Sequence, residues 1–324
     1  VTQLRYTVGA MLSDVRRQLD EDNRAALDDE LDIIPALNRA LNYASDVIAR
    51  KYPQALLATI DTPVAAGEDL FEIPEDAFEA RLLRIEVNTG TEFIPIAEID
   101  YRDVSYYDIA NQTVAVPMYY TVIGNQFKLL PAPSGAFDLR LWYTKEPAPF
   151  VQEQGRINSV VAASNYVTVD SLGADLTSDS ELLESFVNIV DGKSGKIKCT
   201  MQVQDLIIDP KKIVFKTVPT RSTVFDLPVD TSLVGLDLSP EVDDYVCLAP
   251  GSCVPFLRSP LTNFCVQYAV SELTRKFQGE VGVEAAVLDK FETQVERTWV
   301  QRPNAVRVRN RNPYARMSRL LRNF

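Results

Sequence analysis

The chain has 324 residues, a mass of 36.2 kDa, 46% hydrophobic and 24% charged residues, and a net charge of −12. That is room for two or three domains with cores of their own, and it excludes wholesale disorder and collagen-like repetition. No histidine occurs, which removes Ser-His-Asp triads, Cys-His pairs and histidine-based zinc or iron sites together.

The first fifty residues carry helical spacing. Val8, Leu12, Val15 and Leu19 recur at intervals of three and four, followed by an acidic stretch, Asp20 to Asp32, expected as a solvated loop. Ile34, Leu37, Leu41, Ala44, Val47 and Ile48 mark a second amphipathic helix, with Asp32 as its expected cap, Pro35 in its first turn and Pro53 beyond its end. From Leu56 the period changes to short β-type runs at 57–60, 70–73, 82–87 and 93–96, and a short helix is predicted over 97–107. Runs at 119–122 and 126–130 flank Gly124-Asn125, a hairpin turn, and 137–144 is a further strand before the break at Pro147 and Pro149.

Residues 151–225 differ. Strands are predicted at 166–169, 186–190, 196–203 and 213–218, and in the third Ile197, Cys199, Met201 and Val203 alternate with Lys196, Lys198, Thr200 and Gln202. A hairpin-like stretch at 245–256 precedes two helices. Leu261, Cys265, Tyr268, Ala269 and Leu273 lie on one face of the first, and Val283, Val287, Phe291, Val295 and Trp299 on one face of the second. The expected fold class is therefore α+β. A discontinuous helical bundle is drawn from both chain ends (1–55 and 226–300), with a β-rich wing (56–149) and an inserted small all-β domain (150–225).

Charge is unevenly placed. Arg302, Arg307, Arg309, Arg311, Arg316, Arg319 and Arg322 follow Gln301 with no acid or lysine among them, which leaves residues 1–300 at −19. An acidic body repels nucleic acid and anionic membrane surfaces. In the arm, Arg307 to Arg311 alternates with period two, and Tyr314, Met317, Leu320, Leu321 and Phe324 add apolar anchors. This 301–324 arm is the candidate docking element, expected to order on a partner.

Catalytic motifs fail on inspection. Gly192-Lys193-Ser194 lacks the earlier glycine of a phosphate loop, with Val187 in its place, and precedes a strand, so a hairpin turn is expected. Asp175, Thr177 and Asp179 begin like a calcium loop, but Ser180 replaces the glycine and Phe186 the closing glutamate. The pairs Glu75/Asp76 and Asp243/Asp244 are assigned to helix starts and solvated turns. Cys199, Cys247, Cys253 and Cys265 contain no C-x-x-C spacing, so buried reduced thiols are expected, with no metal and no cofactor. No apolar run reaches the roughly 20 residues of a membrane span, and VTQLRYTVGAML lacks the pattern of a secretory signal.

LNRALNYASDVIARKYP (37–53), the turn from Pro74 to Phe78, and YYTVIGNQFKLLPAPSGAFDLRLWYTKEP (119–147) together resemble head-to-tail adaptor (connector) proteins of tailed bacteriophages. The resemblance spans roughly 1–149 and 240–300. It implies a structural, non-enzymatic virion protein made in the host cytoplasm, forming a ring, usually a dodecamer, at the head-to-tail neck. The portal protein lies on one side and a tail nozzle or tube protein on the other. The resemblance also implies that the arm reaches the portal, and that DNA passes nearby during genome ejection without specific binding. The alternatives are another neck, collar or tail-tube ring component, a nucleic-acid-binding protein using the arm, and a histidine-free hydrolase working through carboxylates.

Overall fold

A computed structural model describes residues 6–19, 27–107, 116–172, 185–207, 211–217, 232, 239–255, 259–278 and 283–300. Among them the α-helices are α1 (Val8–Gln18), α2 (Ile34–Lys51), α3 (Val104–Tyr107), α4 (Ser259–Gln278) and α5 (Val283–Val300). Thr7 caps α1 by accepting the Ala10 N–H, and the helix buries Val8, Met11, Leu12 and Val15 along one face. A π-helical turn, Asp29–Ile33, leads directly into α2. The helical run thus begins several residues before the expected cap. The N–H groups that need a partner are those of Glu30 and Leu31, and Asp28 accepts both. Asp32 instead receives a hydrogen bond from Lys276 of α4 at 2.7 Å, and Asp29 pairs with Arg16 at 2.7 Å, so neither belongs to a solvated loop. Residues 20–26 of that stretch lie outside the described residues.

Helices from both chain ends share one apolar cluster. It includes Met11, Leu37, Leu41, Ile48, Phe264, Cys265, Ala269, Phe291 and Val295. At its centre the rings of Phe264 and Phe291 stack at 3.9 Å between centroids, with Tyr43 at 6.0 Å from Phe264. Polar contacts bridge the same ends, among them Lys276 to Asp32, Lys51 to Glu292 at 2.8 Å and Arg39 to Glu272 at 2.7 Å. The side chains of Leu261, Val283 and Trp299, expected on these faces, lie outside the described residues.

Seven strands form the first sheet: β1 (Leu57–Val64), β2 (Leu70–Glu72), β3 (Ala77–Asn88), β4 (Phe93–Glu98), β5 (Tyr119–Ile123), β6 (Gln126–Leu130) and β7 (Phe137–Lys145). Their order is β1-β7-β3-β4-β5-β6-β2, antiparallel except where Ala97 and Glu98 of β4 run parallel to Tyr119 and Tyr120 of β5. That pairing explains a correction. Ala97 and Glu98 extend a strand instead of opening a helix, and only a 3-10 turn (Tyr101–Asp103) and the short α3 follow. Glu75 and Asp76 precede β3, not a helix, and Asp76 pairs with Lys145 at 2.9 Å.

β3 is bulged. Five steps along it, from Ala77 to Leu82, match two on β7, from Lys145 to Tyr143, and Glu79 and Ala80 take left-handed φ of 52° and 51°. The detour lifts Phe78 out of the sheet so that it packs against the helical cluster, while Ile85, Val87, Leu139 and Leu141 stay in the core of the sheet.

The remaining strands are β8 (Glu153–Val161), β9 (Tyr166–Val169), β10 (Phe186–Val190), β11 (Ile197–Ile207), β12 (Lys212–Phe215) and β13 (Tyr245–Leu248). They close in the order β10-β11-β12-β9-β8-β13, with β13 bonded back to β10. Closure removes both sheet edges. The interior holds Ile157, Val167, Val187, Ile189, Cys199, Met201, Val203, Ile213, Phe215 and Val246. Two of the six strands had no named expectation within this unit: β8, and β13, which comes from beyond residue 225.

Candidate functional site

Arg302, Arg307, Arg309, Arg311, Tyr314, Arg316, Arg319, Leu320, Leu321 and Phe324, and also Asp175, Thr177 and Asp179, lie outside the described residues. The described residues present three other features: a polar joint, a charged sheet face and an exposed aromatic patch.

The joint is where the chain enters and leaves the barrel. Residues 149–153 and 249–254 run side by side, with a parallel bridge between Phe150 and Ser252. The Ser252 N–H donates to the Pro149 carbonyl at 2.8 Å. Asn38 of α2 makes a reciprocal pair with Phe150, donating to its carbonyl at 3.1 Å and accepting from its N–H at 2.6 Å. Glu153, the first residue of β8, accepts from the Gly9 N–H at 2.8 Å and the Thr7 hydroxyl at 3.1 Å. Its carboxylate therefore sits at the N-terminus of α1, where the orphan N–H groups and the helix dipole favour an anion. On the barrel side Asn188 donates to the Gly251 carbonyl at 2.9 Å and accepts from the Thr200 hydroxyl at 2.7 Å. Thr200 and Gln202, two of the polar residues of the alternating β11 pattern, are both buried. A Cβ on Gly251 would lie 2.3 Å from a Val151 methyl, so only glycine fits that crossing.

The outer face of the sheet carries Arg140. It holds Asp61 through two bonds of 2.7 and 2.8 Å and lies 3.8 Å over the Phe93 ring. The guanidinium keeps the Asp61 carboxyl below the usual carboxylate range. Beside it the Trp142 indole N–H donates to Glu86 at 2.8 Å. A cleft of about 740 Å³ opens between the Pro74 turn and the β5–β6 hairpin, and another of about 470 Å³ lies between the start of β1, residues 145–150 and the β10–β11 turn.

The patch occupies the end of the sheet between β4 and β5. Tyr101 is 65% exposed, Tyr106 76% and Met118 60%, and the Tyr107 ring lies 4.5 Å from that of Tyr119. Arg102 reaches over Tyr101, and Glu98, Asp100 and Asp103 are exposed in the same stretch. Tyrosine, methionine and arginine are the residue types that protein interfaces favour. The sequence signal was the cluster of tyrosines itself, hidden there by its placement in the short helix expected over 97–107.

The tempting motifs resolve as structure. Gly192-Lys193-Ser194 is the β10–β11 turn, closed by Asp191, which accepts from the Lys193 and Ser194 N–H groups at 2.8 and 3.2 Å. Gly192 is there for packing, since a Cβ would lie 2.4 Å from the Asp243 carbonyl oxygen. The second acidic pair divides: Asp243 pairs with Arg156 but stays half exposed in its turn, as expected, whereas Asp244, 3% exposed, pairs with Lys198 at 2.9 Å and is not solvated. All four cysteines are free and buried. Burial pushes the Cys265 thiol up to about 12, and the neighbouring Cys247 with burial pushes Cys253 up as well, the opposite of an activated thiolate. Among the described residues no cluster of three or more Cys, Asp or Glu side chains could hold a metal ion, and no helix is long and apolar enough to cross a membrane.

These features define a class: a mixed α+β scaffold whose most prominent exposed groups are suited to contact with other proteins. Residues 6–171 match the SU10 adaptor protein family, and the chain, more than half of it matched, belongs to that family of phage head-to-tail adaptors. It is thus a phage structural adaptor of the virion, acting with other head and tail proteins. The matched span takes in α1, α2, the whole seven-stranded sheet, β8 and β9. It runs past the expected limit of 149 and does not include 240–300. Comparison with curated proteins gives no match.

Proposed function

We propose that the protein forms a ring at the phage neck, joining the portal protein to the tail nozzle or tube, with its acidic body flanking the DNA passage. Family membership over residues 6–171 carries this reading. The charge distribution supports the finer part: a body at −19 does not hold passing phosphates, whereas an arm bearing seven arginines suits carboxylates on a partner. A ring of twelve around the conduit is the expected assembly. The arginines at 302, 307, 309 and 311 are assigned to the portal.

The division into a two-ended helical bundle, a β wing and an inserted β domain is part of the same proposal. Closure of the barrel through β13 supports a far limit of the inserted unit at 248 in place of 225. Excision of 153–248, with a short linker, should leave a folded helical protein, whereas excision of 151–225 strands β13 without partners and should aggregate.

Electron microscopy of the purified protein, alone and with portal protein, tests the assembly. Rings that co-sediment with portal, and lose it when Arg307, Arg309 and Arg311 become glutamate, are the expected result. Tight DNA binding at physiological salt with portal docking unaffected by those changes would overturn it in favour of the nucleic-acid reading.

A further inference from the structure

The last dozen residues have a pattern distinct from the extended arginine run before them. Tyr314, Met317, Leu320, Leu321 and Phe324 fall at intervals of three, three, one and three. At 100° per residue they span an arc of about 120°, and Arg316, Arg319 and Arg322 fill the opposite side. Asn312 followed by Pro313 is a helix start, a capping side chain and then a residue preset for the first turn. A helix of about 12 residues is marginal alone in water and requires an apolar surface to pack on.

We propose that residues 312–324 of one copy form an amphipathic helix seated on the Tyr101, Tyr106, Tyr107 and Met118 patch of a second copy. Charge complementarity selects this occupant. The patch lies beside exposed Glu98, Asp100 and Asp103, which outnumber Arg102 there, and bodies at −19 repel one another, while the arm carries seven positive charges and no negative one. Length permits it: residues 301–313 reach up to about 43 Å when extended, against a radius of gyration of about 20 Å for a compact chain of this size. The arrangement is head-to-tail, the kind of contact that closes rings. It deepens the ring reading by naming its strap, and leaves the extended arginines to the portal.

The test uses this chain alone, so its outcome is independent of portal or tail binding. Full-length Met118→Cys and full-length Met317→Cys proteins are mixed under mild oxidation. The four native thiols are buried, and each variant adds a single new one. A cross-linked pair containing one of each is expected, with little product from either variant by itself. Separately, Tyr101→Ala with Tyr106→Ala should weaken self-association by roughly thirtyfold in sedimentation, the scale of losing a hot spot, with unchanged circular dichroism. No mixed cross-link, or an intramolecular one in the Met118→Cys/Met317→Cys double variant without dimer, overturns the proposal. So does unchanged self-association of the tyrosine variant.

Discussion

Replacing Gly9 by alanine should destabilise the protein, although alanine is the better helix former. The added Cβ would stand 2.2 Å from one Glu153 carboxylate oxygen and 2.8 Å from its carbon. The carboxylate must swing away from the Gly9 N–H, which it accepts at 2.8 Å. A hydrogen bond to a charged acceptor is worth about 1.5–3 kcal/mol, and the gain from alanine over glycine is at most about 1 kcal/mol. The net loss is therefore about 1–2 kcal/mol. In a Glu153→Ala background the obstruction is gone, and Gly9→Ala should stabilise by up to about 1 kcal/mol. Urea unfolding of the four proteins, followed by far-UV circular dichroism, gives the coupling, expected near 2 kcal/mol. Equal effects of Gly9→Ala in the two backgrounds would refute the account of the joint.

Phe291→Ala removes a ring stacked at 3.9 Å on Phe264 in a fully packed core, and should cost about 3–5 kcal/mol, read as a lower urea midpoint of the helical signal. Lys276 holds the Asp32 carboxyl, and Lys51 the Glu292 carboxyl, below the usual range. Protons therefore favour the unfolded chain: this stabilisation is present above the unfolded value of about 4 and is lost as pH falls through the depressed folded values. Thermal melts below about pH 4 should show the loss, and Lys276→Met with Lys51→Met should flatten it. Glu79→Gly should be neutral or stabilising by up to about 1 kcal/mol, because φ of 52° strains any residue with a Cβ; a clear loss in thermal melts would mean that the glutamate side chain contributes.

Periodicity was enough to locate most elements because burial in them is one-sided. The helix faces around Leu37, Leu41, Phe291 and Val295, and the β11 alternation through Met201, are patterns that a single element displays by itself. What escaped depends on partners distant in sequence. Ile157 is the one buried apolar side chain of β8, beside a buried Gln154 and Gly155, so the strand shows little apolar alternation until β9 and β13 flank it. Asp32 has the look of a cap because the π turn that displaces it is not encoded in apolar spacing. Asp244 looks solvated until Lys198, 46 positions earlier in the chain, covers it. The joint was invisible for the same reason: Asn38, Phe150 and Glu153 are ordinary residues whose roles exist only once both crossings of the barrel meet α1 and α2.

That joint bears on how the adaptor behaves as a body. A domain carried on one linker swings freely, whereas two crossings held side by side resist rotation about either one. Here the two crossings are bridged to each other at Phe150 and Ser252 and fixed to the helices by Asn38 and Glu153. Phe78, lifted by the β3 bulge, ties the sheet to the same helical cluster. Sheet and barrel are thus both referred to one core of α1, α2, α4 and α5. A force applied to the barrel reaches that core through polar contacts that have distances and angles to satisfy, and through the Phe150 ring, which is buried in the helical cluster. Sheet, barrel and helices should consequently keep one geometry when the protein meets its partners. The 301–324 arm, joined to that core through the end of α5, is then the segment whose sequence suits it to adapt to them.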